Sequence, residues 1–260
     1  VYLFQEKLDK KYIFSPKLMS YIVNSFSQLL AFSFSKVYVF SKDMKTQARK
    51  SSLGLCKPIM LKPGVSKKRF FSVDENTKSF LRRELGMKED ITYLLSVGRV
   101  SEIKQFDIAI SALKYLDDRF QLLIIGSGPE LDSLKSHAKS EGVSENVTFH
   151  PFTKDVDVYY KAADIYLMTS RYESFGQVLL EASSCGLPVI AFSSAAGVRT
   201  SVSYIYNGFN CLLSECYKQS PAALANSIID FRVDVTEFRQ EVSVFRGIYN
   251  WNSTVERVMR

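Results

Sequence analysis

The sequence contains no stretch of about 18 consecutive apolar residues, so nothing in it reads as a membrane-spanning helix. Its opening, Val-Tyr-Leu-Phe-Gln-Glu-Lys, has neither the basic head nor the unbroken apolar stretch of a secretory signal. Nor is the first residue a methionine, and a start inside a longer polypeptide is expected. Cysteine and histidine are scarce. Cys56, Cys185, Cys211 and Cys216 show no C-x-x-C spacing and have only His137 and His150 for company, which argues against a zinc site or a disulfide framework. Reduced thiols and no bound metal are expected.

What is present is an ordinary globular composition, 46% apolar and 23% charged over 260 residues, enough for a packed core. The net charge of +7 is unevenly placed: residues 1–90 carry 18 Lys and Arg against 8 Asp and Glu, and residues 91–260 carry 16 against 19. A basic front suits either an anionic membrane surface or a solvated positive face, and nucleic acid is not expected as a partner. Residues 12–34 are rich in Ile, Leu, Phe and Tyr at helix-like spacing, nearly apolar all round in places. Burial within its own domain is expected there, with a bilayer interface as the alternative.

Periodicity predicts strand Val37–Phe40, helix Lys42–Leu53 and strand Pro58–Leu61. Lys62-Pro63-Gly64-Val65 then breaks the pattern, and residues 63–78, with the basic run Lys67-Lys68-Arg69, read as a linker between domains 1–62 and 79–260. Beyond it strands and helices alternate: strands near Tyr93–Val97, Phe120–Ile125, Val147–Phe149, Ile165–Met168 and Val189–Phe192, with helices near Phe106–Tyr115, Glu130–Lys139, Val156–Ala162 and Phe175–Cys185. Two further helices are expected over Ser220–Phe231 and Val235–Tyr249. The fold class is therefore α/β, a doubly wound parallel sheet whose ligand sits beyond the carboxyl ends of the strands.

The richest chemistry lies in Ser170-Arg171-Tyr172-Glu173-Ser174-Phe175-Gly176-Gln177-Val178-Leu179-Leu180-Glu181-Ala182. A strand leads into a short polar loop and then a helix, whose first N–H groups and positive dipole end favour an anion by roughly 0.3–1 kcal/mol per charge. Gly176 lets that anion approach the backbone closely. Glu173 and Glu181 would repel a phosphate, but ionised carboxylates grip sugar and ribose hydroxyls. About two helical turns apart, they are expected to face one side. The alternative is a solvated loop acid and a helix glutamate satisfied by a neighbour. Gly98-Arg99-Val100-Ser101-Glu102-Ile103-Lys104 follows a strand, where Arg99 and Lys104 can bracket a diphosphate without a metal, or simply be surface cations. Gly126-Ser127-Gly128-Pro129-Glu130 lacks the third glycine of a dinucleotide fingerprint and serves equally as a tight turn or a nucleotide contact. His150 reads as a strand-end residue.

The segment Ser170–Ala182, continued by Ser184-Cys185-Gly186-Leu187-Pro188-Val189-Ile190-Ala191, resembles the E-x(7)-E signature of the retaining glycosyltransferases of family 4, which have the two-domain GT-B fold. Gly98-Arg99-x(4)-Lys104 resembles that family's diphosphate-binding element, and Gly126–Glu130 its Gly-x-Gly-Pro-Glu loop. The likeness runs from about Val37 to the C-terminus. It implies a Rossmann-like C-terminal half with a partial N-terminal domain, and transfer of a hexose from a nucleoside diphosphate sugar to an acceptor hydroxyl. UDP-sugar is favoured as donor, GDP-sugar is the alternative, and no cofactor is implied. Catalytic roles are implied for Arg99, Lys104 and Glu173. Donor-binding roles are implied for Gly98, Gly126, Gly128, Pro151, Phe152, Ser174, Phe175, Gly176 and Glu181, with Glu181 on the ribose. A glycan or lipid-linked acceptor, polysaccharide assembly and a cytoplasmic setting, peripheral to the membrane, follow as expectations. The sequence departs from the family at Lys62-Pro63-Gly64-Val65-Ser66, where Pro-Asn-Gly-Val-Asp is usual, and at Ala196-Gly197-Val198-Arg199-Thr200-Ser201-Val202, which borders the expected sugar site. The alternative to an enzyme is a sugar-nucleotide-binding part that needs a partner domain for turnover.

Overall fold

The computed structural model describes residues 24, 26, 27, 29–31 and 36–259, which fall into two compact units divided between Leu61 and Lys62. The apolar stretch 12–34 lies for the most part outside the described residues; those of it that are described are helical. In the first unit β1 (Tyr38–Val39) and β2 (Ile59–Met60) pair in parallel around α1 (Lys42–Ser51). Ser41 caps α1 by accepting the Met44 N–H at 3.1 Å.

The second unit holds a six-stranded, wholly parallel sheet in the order β5-β4-β3-β6-β7-β8. Its strands are β3 (Thr92–Val97), β4 (Phe120–Ile125), β5 (Val147–His150), β6 (Ile165–Met168), β7 (Val189–Phe192) and β8 (Leu213–Cys216). The central ones are mostly apolar because both faces are covered, and the buried Ser96 of β3 donates its hydroxyl to Leu167 O at 3.0 Å. On one face pack α3 (Phe106–Ala112), α4 (Leu131–Ser140) and α8 (Pro221–Ile229), closing a core around Leu94, Ile110, Leu122, Ile124, Leu167 and Ile190. The remaining helices are α2 (Glu75–Glu84), α5 (Val156–Ala162), α6 (Gln177–Ser184), the short α7 (Val202–Ile205), α9 (Val235–Ile248) and α10 (Trp251–Met259); among them α2 packs on α5 and α9 on α6. Among the described residues no helix is long and apolar enough to cross a membrane.

The expected α/β alternation and doubly wound parallel sheet are present. Three elements were not anticipated. β8 is an edge strand carrying Ser214 and Glu215, so it lacks the apolar run of a central strand. α7 is a single turn. α2 begins at Glu75, inside the stretch expected to be linker, because Asp74 caps it by accepting the Thr77 N–H at 2.8 Å. Residues 62–66 belong to the second unit and are clasped by its C-terminal segment. The Val65 N–H donates to Tyr249 O at 3.3 Å, and Thr254 Oγ1 donates to Lys62 O. A Cβ on Gly64 would lie 2.2 Å from Trp251 N, so only glycine fits there.

At the amino ends of the strands, Asp164 accepts from Lys78 Nζ at 2.7 Å, Arg82 Nη2 at 2.6 Å and the Tyr93 N–H at 2.8 Å. The buried Arg82 also donates through Nε to Ala162 O at 2.9 Å. This hub fixes α2 to the edge of the sheet opposite the candidate site.

Candidate functional site

β4 and β5 lie to one side of β3, and β6, β7 and β8 to the other, so the winding reverses between β3 and β6. Loops leaving the carboxyl ends of two such strands diverge and leave a crevice, the usual ligand position in an open parallel sheet. The loop after β3 contains Gly98, Arg99 and Lys104, and the loop after β6 contains Glu173, Ser174, Phe175 and Gly176. Both strongest sequence motifs therefore meet at the point where topology alone puts a ligand.

Backbone hydrogen bonds continue past the strand ends and tie these loops together. Gly98 N–H donates to Ile125 O at 3.0 Å, Val100 N–H to Ser127 O at 3.1 Å and Gly126 N–H to His150 O at 2.9 Å. So close an approach needs glycine: a Cβ on Gly126, whose φ is +154°, would fall 1.8 Å from Gly98 O, and one on Gly128 would fall 2.0 Å from Val100 O. The Gly-x-Gly loop is thus a packing device that also leaves bare backbone at the crevice. Across the switch point Arg171 N–H donates to Ile103 O at 2.9 Å and Thr169 Oγ1 to Lys104 O at 2.8 Å. The loop after β7 joins through Glu173 N–H to Arg199 O at 3.0 Å and Arg199 N–H to Arg171 O at 2.8 Å. The Arg199 guanidinium lies over the Tyr172 ring, 5.6 Å from its centroid. The sequence marked the 196–202 stretch as divergent and as bordering the expected sugar site; the pairing of Tyr172 with Arg199 gave no local signal.

Within this frame Lys104 Nζ and Glu173 Oε2 form an ion pair, both side chains largely buried. The sequence assigned Lys104 to a diphosphate and Glu173 to a sugar; here each neutralises the other. Arg99 is exposed and has no ion-pair partner among the described residues. The helix α6 starts at Gln177 rather than Phe175, because Gly176 takes the left-handed conformation, φ +86°, and no side chain caps the helix start. Glu173 sits in the loop before the helix. Phe175 is buried, and Ser174 O accepts from Ser201 Oγ at 3.0 Å. Pro151 and Phe152 lie past the end of β5, the Phe152 ring 72% exposed and its N–H donating to Ser127 Oγ at 3.2 Å.

Glu181, one turn from the end of α6, is largely enclosed. Tyr160 Oη donates to its Oε2 at 3.2 Å. Burial pushes its carboxyl up to about 7, although the Tyr160 hydrogen bond, the Arg69 charge and the Gln177 side chain all oppose the rise. Arg69 is held by Asp157 at 2.7 Å. Burial would raise the Asp157 carboxyl, but hydrogen bonds from Arg69 and Lys161 keep it below its ordinary value. Tyr160, Arg69 and Gln177 were not identified from sequence, since each becomes a neighbour of Glu181 only through packing. Away from the crevice, Cys211, Glu237 and Glu241 approach one another closely. The Glu241 carboxylate is committed to the N–H groups of Asn210, Cys211 and Leu212 at 2.7, 2.9 and 3.1 Å, a structural use.

Residues 77–242 match the family model for glycosyl transferases group 1. The chain is 31% identical over 215 residues to a D-inositol 3-phosphate glycosyltransferase of Geodermatophilus obscurus, covering 77% of this chain and 46% of that protein. It is 34% identical over 139 residues to an uncharacterized glycosyltransferase of Haemophilus influenzae, covering 52% of this chain and 39% of the relative. It thus spans less than half the length of these curated relatives. Among solved structures it superposes on sucrose-phosphate synthase from Thermosynechococcus elongatus with a TM-score of 0.75 at 22% identity, over 96% of this chain and 63% of that one. Anabaena HepE in complex with UDP-glucose gives a TM-score of 0.75 at 20% identity, over 94% and 68%. These likenesses establish the fold as that of the GT-B glycosyltransferases.

Proposed function

Because the chain belongs to the glycosyl transferases of group 1, we propose that its second unit binds a nucleoside diphosphate sugar at the β3–β6 switch point for retaining transfer of the hexose to an acceptor hydroxyl, as in family 4. The observation that carries this reading is the Lys104–Glu173 pair bridging the two loops. Before donor binds, the two charges neutralise each other. A donor offers both a better partner at once: diphosphate oxygens for Lys104 and sugar hydroxyls for Glu173. Arg99 and the uncapped N–H groups at the start of α6 add to the positive field on the diphosphate.

In the reaction the bond between the anomeric carbon and the diphosphate oxygen breaks, and the acceptor oxygen bonds to that carbon from the same face. The acceptor proton passes to the departing diphosphate. No side-chain nucleophile is required, and the protein contributes positioning and stabilisation of the charge that develops on the leaving group. Glu181 holds the ribose hydroxyls, the backbone at Gly98, Gly126 and Gly128 lets the nucleotide approach, and Pro151 with the exposed Phe152 ring lines the base. UDP is the favoured carrier, since HepE was solved with UDP-glucose. A glycan or lipid-linked acceptor and a cytoplasmic setting, peripheral to the membrane, complete the proposal, the basic front of the chain being suited to an anionic surface.

Calorimetric titration with a panel of UDP- and GDP-sugars tests this. Saturable binding of one donor, weakened about tenfold or more in Arg99→Ala, is the expected result; a folded protein that binds none of them refutes it. A second reading is donor binding without turnover. Donor binding with no product from any acceptor tried would select it.

A further inference from the structure

A cavity of about 300 Å3 lies between the segment following Val65 and the helix α9, away from the donor crevice. Its wall includes Lys67 and Ser72 on one side and Arg239, Ser243, Arg246 and Gly247 on the other. The three helical polar residues recur at spacings of four and three, so they share one face of α9. Its lining contains three cations, two hydroxyls and no carboxylate. Among the described residues, neither Lys67, Arg239 nor Arg246 forms an ion pair. Moreover Arg246 Nε is buried without an acceptor, a costly arrangement for a charged donor. The space beside Gly247 is open, since a Cβ there would meet nothing within 4 Å.

We propose that this cavity is a second anion site, which takes a phosphate-bearing group on Lys67, Arg239 and Arg246. Like charges gathered around a pocket repel one another, and a phosphomonoester relieves that repulsion. The Ser72 and Ser243 hydroxyls complete the coordination of its remaining oxygens. The volume is at the lower end of ligand pockets and admits a phosphorylated small molecule or a lipid headgroup. The site is separate from the donor crevice. Helix α6 presents its amino end to the crevice, whereas Gly186, past its carboxyl end, packs against Ser72, roughly 12 Å along the helix axis.

The test uses the whole chain. Inorganic phosphate is titrated calorimetrically at constant ionic strength, with chloride as the competing anion, against wild type, Lys67→Gln, Arg239→Gln and the Arg239→Gln/Arg246→Gln pair. Circular dichroism confirms that each variant is folded, and the exposed Lys68→Gln serves as the control. Saturable phosphate binding that weakens about tenfold or more in the double variant and measurably in Lys67→Gln, with Lys68→Gln unchanged and UDP unable to displace the phosphate, is the expected result. Equal phosphate affinity in all variants, displacement by chloride, or displacement by UDP overturns the site. Sedimentation with phosphatidylcholine vesicles, with and without phosphatidic acid, then separates the sources. Capture that needs phosphatidic acid and is lost in the double variant identifies a headgroup. Phosphate binding without capture identifies a soluble phosphoester.

Discussion

At Glu181 burial and hydrogen bonding act against each other, and burial prevails: the carboxyl rises from 4.5 to about 7. Between those pH values the folded protein holds a proton that the unfolded chain has released, so this group's contribution to stability falls as pH rises from about 4.5 to 7. The loss is up to about 3 kcal/mol. Wild type should therefore lose melting temperature relative to Glu181→Gln between pH 5 and pH 8; parallel curves would remove the assignment. If Glu181 receives ribose hydroxyls in its ionised form, donor affinity in wild type strengthens over the same interval. Lys104 and Glu173 give a second prediction. Lys104→Met leaves a largely buried carboxylate without its cation and should cost about 1–3 kcal/mol in urea denaturation, with donor binding lost. Lys104→Met/Glu173→Gln should recover much of the stability and none of the binding; additive losses would mean the pair is not coupled.

Among the elements, the loops after β3 and β4 owe their contact to glycine. Gly126→Ala would place a methyl group 1.8 Å from Gly98 O at a φ of +154°, so the backbone must move. A loss of about 2 kcal/mol or more is expected, with donor binding weakened because Gly98 is displaced too. Urea denaturation and donor titration check it, and an unperturbed variant would show that the loops are not in contact in solution. The helix α6 illustrates a boundary that sequence placed two residues early. Phe175 and Gly176 continue its apolar pattern, but the left-handed Gly176 ends the loop and Gln177 begins the helix. Pattern reads side chains, whereas the boundary is a backbone event. Similarly, β8 was missed because an edge strand keeps polar residues, and α2 because its first turn, Glu75–Lys78, fell in the polar stretch read as linker; its buried Arg82 meets Asp164 only in the folded sheet.

Across the second unit the two edges of the sheet divide the labour. The amino edge is closed by Asp164, which gathers Lys78, Arg82 and the Tyr93 N–H, while the carboxyl edge carries the cations and open backbone of the candidate site. Asp164→Ala strands a buried guanidinium and should cost about 3–5 kcal/mol. Donor affinity of the folded fraction should not change, the reverse of Lys104→Met; weakened binding in Asp164→Ala would mean that the edges are coupled. The sequence by itself determined the α/β alternation, since apolar strands buried on both faces and helices of period 3.6 leave distinct patterns. It also singled out Gly98–Lys104 and Glu173–Glu181 as the candidate site, because both place charges and glycines directly after apolar strands. Only the tertiary structure decided strand order, hence that these two loops flank the reversal between β3 and β6, that Lys104 pairs with Glu173, and that Tyr160, Arg69 and Gln177 surround Glu181. Those relations join residues distant in the chain, and their energies come from burial and charge pairing that exist only once the sheet has closed on its helices.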